Sequence, residues 1–181
     1  MKNPVRITIA LDKETNRLFE KLKAESKLSK SGLIRRALHF YSENKEVIDE
    51  HGSERINTYV DMLAHGEHII LDIDHFLLFL KLIESSPEKD KFWEDHQRVA
   101  RAHAEEFVKK FRTPEEVLQR LEACNFYKLR KTSEGEYTLV TDEPMKKFIK
   151  TFLEEVFAGL GFKAEVKEDF AKLRVKAIKI P

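Results

Sequence analysis

Val5-Arg6-Ile7-Thr8-Ile9-Ala10-Leu11 alternates without a break, with Val5, Ile7, Ile9 and Leu11 on one side and Arg6, Thr8 and Ala10 on the other. A period of two marks a half-buried strand. Asp12 follows as an N-cap, and Lys13–Ser26 places Leu18, Phe19 and Leu22 on one helical face. Ser29 then caps a second helix whose apolar stripe is Leu33, Ile34, Ala37, Leu38 and Tyr41. One strand and two helices cannot bury these faces by themselves, and a lone strand leaves both edges unpaired. A second copy removes both difficulties by pairing strand with strand. The segment therefore predicts an obligate homodimer with a two-stranded antiparallel ribbon.

Charge is distributed in the same sense. The 181 residues carry 33 Lys and Arg against 32 Asp and Glu, a formal +1 that by itself suggests no polyanionic partner. Residues 1–45, however, hold 11 basic against 5 acidic residues, a formal +6. The rest holds 22 against 27, a formal −5. A basic head on an acidic body suggests nucleic-acid binding by the head, and on charge alone chance clustering of solvated Lys explains it as well.

The element order, together with Leu28-Ser29-Lys30-Ser31-Gly32-Leu33-Ile34-Arg35-Arg36-Ala37-Leu38, closely resembles the ribbon-helix-helix family of prokaryotic transcriptional repressors (the Arc/MetJ/CopG type). The resemblance covers about residues 3–45. It implies that the dimeric ribbon enters the DNA major groove and that its outward residues, here Arg6, Thr8 and Ala10, read bases. Their chemistry fits: Arg can pair bidentately with guanine, Thr can donate or accept, and an Ala methyl can touch thymine. The resemblance also implies a phosphate grip at the start of the second helix, here Ser29, Lys30 and Ser31, where free N–H groups and the helix dipole favour an anion. Lys27 departs from the family, whose usual residue before this segment is Gly. A left-handed Lys there costs on the order of 1 kcal/mol, unless the turn differs.

Beyond residues 1–45, a linker is expected over 46–56 and a separate domain over 57–181. Ile69–Ile73 predicts a buried strand, and Asp74 caps an apolar helix from His75 to Glu84. A long amphipathic helix is expected from Glu88 to Phe111. Thr113-Pro114-Glu115-Glu116 is a capping-box start for a helix over Pro114–Cys124. Phe126–Lys131 and Glu136–Val140 flank a turn, Pro144–Leu160 is helical with Gly161 at C′, and Lys163–Lys167 with Lys172–Ile178 forms a second hairpin. The fold class is α+β, a ribbon-helix-helix head (β-α-α, intertwined dimer) followed by an α+β domain with an antiparallel sheet. The ββ-α-ββ order is similar to that of vinyl-reductase-type domains, a family of small-ligand and vesicle-tethering modules, with no residue motif in support.

The body offers two kinds of site chemistry. His65, His68, His75, His96 and His103, with Glu67, Asp72 and Asp74 interleaved, are candidate ligands for a divalent transition metal. Phe92, Trp93, Phe107, Phe148, Phe152 and Phe157 could instead line an apolar pocket, although aromatics at helical spacing are more often plain core. Cys124 reads as a buried, inert thiol, and a single cysteine excludes an intramolecular disulfide framework and suits a reducing compartment. No phosphate-binding glycine loop, nucleophile elbow or paired-carboxylate motif points to an enzyme. The strand begins within five residues of Met1 and the longest apolar run carries charges, so neither a signal peptide nor a membrane partner is expected. The expected protein is a cytoplasmic, dimeric or tetrameric transcriptional regulator, a repressor that binds double-stranded operator DNA, whose C-terminal domain senses a small ligand or metal, mediates oligomerisation, or both. The alternative is an antitoxin with an autorepressor head.

Overall fold

The computed structural model describes residues 5–64, 66 and 68–178. The chain divides into two compact units, Met1–Ile56 and Asn57–Pro181.

In the first unit, residues 5–11 form no hydrogen-bonded ladder with any described residue. Helix α1 (Lys13–Ser26) starts where the Asp12 carboxylate accepts the Thr15 N–H at 2.7 Å, a bond that holds the Asp12 pKa below its ordinary value. It ends at Lys27, whose φ of 55° and ψ of 19° are left-handed, so the strained alternative for this residue is the one adopted. Helix α2 (Lys30–Ala64) is interrupted at Gly52, where φ 72° and ψ 155° define a conformation open essentially to glycine alone. Residues 46–56, expected as a linker, are thus helical on both sides of that break. Among the described residues 5–56, not one side chain is buried.

The second unit is built differently. Helices α3 (Ile73–Ser85), α4 (Lys89–Lys110) and α5 (Pro114–Ala123) precede the hairpin β1 (Lys128–Ser133) and β2 (Glu136–Val140). Then come α6 (Glu143–Gly159), β3 (Ala164–Asp169) and β4 (Lys172–Ala177). The strands form one antiparallel sheet in the order β1-β2-β4-β3. Its register sets Leu139 opposite Leu173 and Tyr137 opposite Val175, and these join Leu153, Val156 and Phe157 of α6 in the core. Helix α6 is the centre of the unit, touching β3 and β4 as well as α3 and α4. It approaches α4 so closely that a Cβ on Gly159 would stand 2.6 Å from Cβ of Ala104, leaving no room for a side chain. Gly161, at φ 71°, ends the α6 turn in the left-handed position expected for C′.

Two local expectations require correction. Ile69–Ile73 is not a buried strand: Ile69 and Ile70 are each 86% exposed, and the segment joins no sheet. The helix also starts earlier than Asp74. Asp72 Oδ1 accepts from the backbone N–H of Asp74 at 2.9 Å and of His75 at 3.4 Å, so an aspartate cap overrides the β-propensity of the isoleucines around it. By contrast, the Thr113–Glu116 capping box is complete, with Thr113 Oγ1 accepting from Glu116 N at 3.3 Å and Glu116 Oε2 from Thr113 N at 3.1 Å. Among the described residues, no helix is long and apolar enough to cross a membrane.

Candidate functional site

In the first unit, the groups predicted to meet DNA lie at the surface. Arg6, Thr8 and Ala10 are all exposed, and so are Ser29, Lys30 and Ser31. The opposite side of the 5–11 stretch is exposed too: Val5 is 89%, Ile7 68% and Ile9 50% accessible. At the turn into α2, Ser29 Oγ accepts the Gly32 N–H at 3.1 Å and Ser29 O accepts the Leu33 N–H at 2.8 Å. The first of these bonds caps one of the helix's free initial donors, the second is the first turn's own helical bond, and the N–H groups of Lys30 and Ser31 are left directed away from the helix, as an anion site requires. Ser31 Oγ stands 3.5 Å from Ser29 Oγ. One feature is not legible from the motif. Lys30 Nζ lies 3.6 Å from Glu20 Oε1 on α1, an exposed pair worth well under ~1 kcal/mol and easily exchanged for a phosphate.

In the second unit, a cavity of about 200 Å³ opens among α4, α5, α6 and the stretch of α2 beyond Gly52. Phe107, Phe126, Phe148 and Phe152 supply its aromatic wall. The Phe126 and Phe148 rings stack at 5.9 Å, and Phe148 in turn stacks on His96 at 4.0 Å. Its polar groups are Asp61, Glu106, Lys110, Arg120, His68, His96 and His103. Lys110 Nζ is 3.5 Å from Asp61 Oδ2, and Glu106 Oε2 is 3.9 Å from His103 Nδ1. Arg120, half-buried, donates from Nη1 to Thr58 O at 3.1 Å. Cys124, also half-buried, sits 3.3 Å from the Met62 sulfur, and burial pushes its thiol pKa up, the condition of an inert thiol. Of the aromatics singled out in the sequence, Phe107, Phe148 and Phe152 line the cavity. Phe157 belongs to the closed core, and Trp93 turns outward, donating to Glu84 Oε1 at 3.1 Å beneath the Lys147 ammonium. Arg120 and Lys110 carry no motif, and sequence reasoning missed both. Amphipathic helices commonly carry such residues, and only packing brings them to the cavity.

Three of the candidate metal histidines, His68, His96 and His103, line this cavity, but among the described residues they do not come together as a ligand set. His75 is exposed on the first turn of α3, 3.5 Å from the Asp72 carboxylate. His68 Nδ1 is 3.0 Å from Met62 O, and His96 Nε2 is 3.0 Å from Phe148 O. A carbonyl oxygen only accepts, so each of those ring nitrogens carries its hydrogen and has no lone pair for a metal. Burial holds the His96 pKa below the ordinary imidazole value, which keeps that ring neutral. Among the described residues, no three His, Cys, Asp or Glu side chains come together as a metal site. His65 lies outside the described residues.

Comparison with known proteins bears on the first unit only. Residues 5–45 match the family model of ribbon-helix-helix proteins of the copG family, so the N-terminal segment is a ribbon-helix-helix head. No curated protein and no solved structure matches the chain.

Proposed function

We propose that a ribbon-helix-helix head at residues 5–45 makes this chain a dimeric, sequence-specific DNA-binding regulator, a repressor, whose body senses a small molecule. The observation that carries the reading is the state of the head: a strand-like segment and two helices with apolar stripes, and no buried side chain. Two heads pair through residues 5–11 and bury Val5, Ile7, Ile9 and Leu11 against α1 and the start of α2. The same pairing turns Arg6, Thr8 and Ala10 of both copies onto one face, the face that reads base edges. Ser29, Lys30 and Ser31 hold a backbone phosphate on each side, and Lys30 leaves Glu20 to do so. The basic head supplies the nonspecific attraction, while the acidic body limits it.

An antitoxin of this head type would carry a flexible tail that wraps its toxin. The closed core around Leu139, Leu153 and Leu173 argues instead for a body that folds alone. Limited proteolysis of the free protein separates the two readings, because digestion down to the head would favour the antitoxin.

The test of the DNA reading is selection of bound duplexes from a random pool, followed by titration against salt. A recovered inverted-repeat site, with affinity falling steeply and log-linearly in salt as phosphate counterions are released, is expected. Recovery of no common site would contradict the reading.

A further inference from the structure

The body cavity carries the proposal that deepens this reading, and it rests on the view that the body senses a small molecule. Size comes first. An engineered cavity of about 150 Å³ lined by apolar side chains holds benzene, and the cavity here measures about 200 Å³. There is room for one aromatic ring with one small substituent.

The walls select the ring. Phe126, Phe148 and Phe152 meet at the cavity, with Phe126 and Phe148 stacked 23° from parallel and Phe152 tilted 56° against His103. Faces and edges are therefore both presented, the arrangement in which a further aromatic ring finds offset-stacked and edge-to-face partners.

Arg120 selects the substituent. Of the other charged groups at the cavity, Lys110 faces Asp61, and Glu106 Oε2 lies 3.9 Å from His103 Nδ1. Arg120 is half-buried, and among the described residues no carboxylate comes within ion-pair distance of it. Only Nη1 is engaged, by the Thr58 carbonyl oxygen. A partly desolvated guanidinium without a counter-charge is costly, and its planar fork of remaining donors matches a carboxylate bidentately.

We propose that this cavity binds a single-ring aromatic carboxylate, with the ring among Phe126, Phe148 and Phe152 and the carboxylate on Arg120. The acids at the cavity do not oppose this, since Asp61 and Glu106 are each held by a cationic or protonatable neighbour.

Calorimetric titration of the full chain with benzoate tests it, with cyclohexanecarboxylate and benzamide as comparison ligands. Saturable binding of one benzoate per chain is expected, with cyclohexanecarboxylate weaker for lack of a π-face and benzamide weaker for lack of charge. Arg120→Gln should weaken benzoate by about tenfold or more, the scale of a charge-assisted bidentate bond, while Arg120→Lys retains part of the affinity. Phe152→Ala should weaken benzoate and cyclohexanecarboxylate unequally, with the aromatic ligand losing more. Thermal unfolding without ligand shows that each variant is folded. The proposal is overturned by absent saturation with benzoate in the folded wild type, by equal affinity for benzamide, or by unchanged affinity in both Arg120→Gln and Phe152→Ala. DNA binding measured on the same ligand-free preparation keeps the two readings apart. Its loss with benzoate binding intact refutes the regulator alone, and its retention with no benzoate binding refutes the ligand alone.

Discussion

The head and the body of this chain have equally clear apolar patterns and opposite fates for them. In the body, the apolar positions of α5, α6, β2 and β4 join one core, and Leu118, Leu139, Leu153 and Leu173 have no accessible surface left. In the head, an alternation as regular as any in the sequence leaves Val5 89% and Ile7 68% exposed. Pattern says which face must be covered; it does not say that the same chain covers it. The contrast is between a unit whose apolar faces close on one another and one whose apolar faces, on the reading proposed above, are covered by a second copy.

Breaking the head without touching the body gives the largest expected effect. Ile9→Glu puts an unpaired carboxylate in the middle of the proposed ribbon interface. Light scattering should show a monomer, and DNA affinity should fall by more than about 100-fold. The cooperative melting of the body should be unchanged. The converse change, Leu153→Ala, should cost the body ~2–5 kcal/mol in urea unfolding through lost burial and a residual cavity. At temperatures where the body remains folded, DNA affinity should stay within error. Arg6→Ala should be milder, costing ~1–3 kcal/mol per half-site and relaxing preference at one base position, as read by competition between duplex variants.

Two smaller effects sharpen the comparison. Lys27→Gly relieves a left-handed, non-glycine residue and should stabilise the head by about 1 kcal/mol, visible as a raised melting temperature for the head transition alone. In the body, burial lowers the His96 pKa, so the unfolded chain binds a proton that the folded body refuses. The stability due to neutral His96 is therefore complete above the ordinary imidazole value of about 6.5 and is lost as pH falls below it. Urea midpoints between pH 7.5 and 5.5 should drop for the wild type, and less for His96→Asn, which can still donate to the Phe148 carbonyl oxygen.

Legibility from sequence followed the range of the interaction involved. The Asp12 and Ser29 caps, the Thr113–Glu116 box and the Gly161 stop were readable because each is settled within four residues. The error at Ile69–Ile73 has a local cause as well: two caps competed two residues apart, and Asp72 rather than Asp74 bound the free N–H groups. The histidines misled because the four described ones are spread over α3, α4 and a loop, two of them spent on the carbonyl oxygens of Met62 and Phe148. The cavity was half visible. Phe107, Phe148 and Phe152 stood out by type, whereas Arg120 reaches its place through Thr58, 62 residues away in the chain. No spacing rule contains that distance.

Amide hydrogen exchange along residues 5–11, measured over a dilution series, tests the central contrast most directly. Protection at the ribbon amides that disappears on dilution, while the amides of α6 and β4 stay protected throughout, is the predicted result. Exchange at open-chain rates over 5–11 at every concentration and in the presence of bound DNA would contradict it.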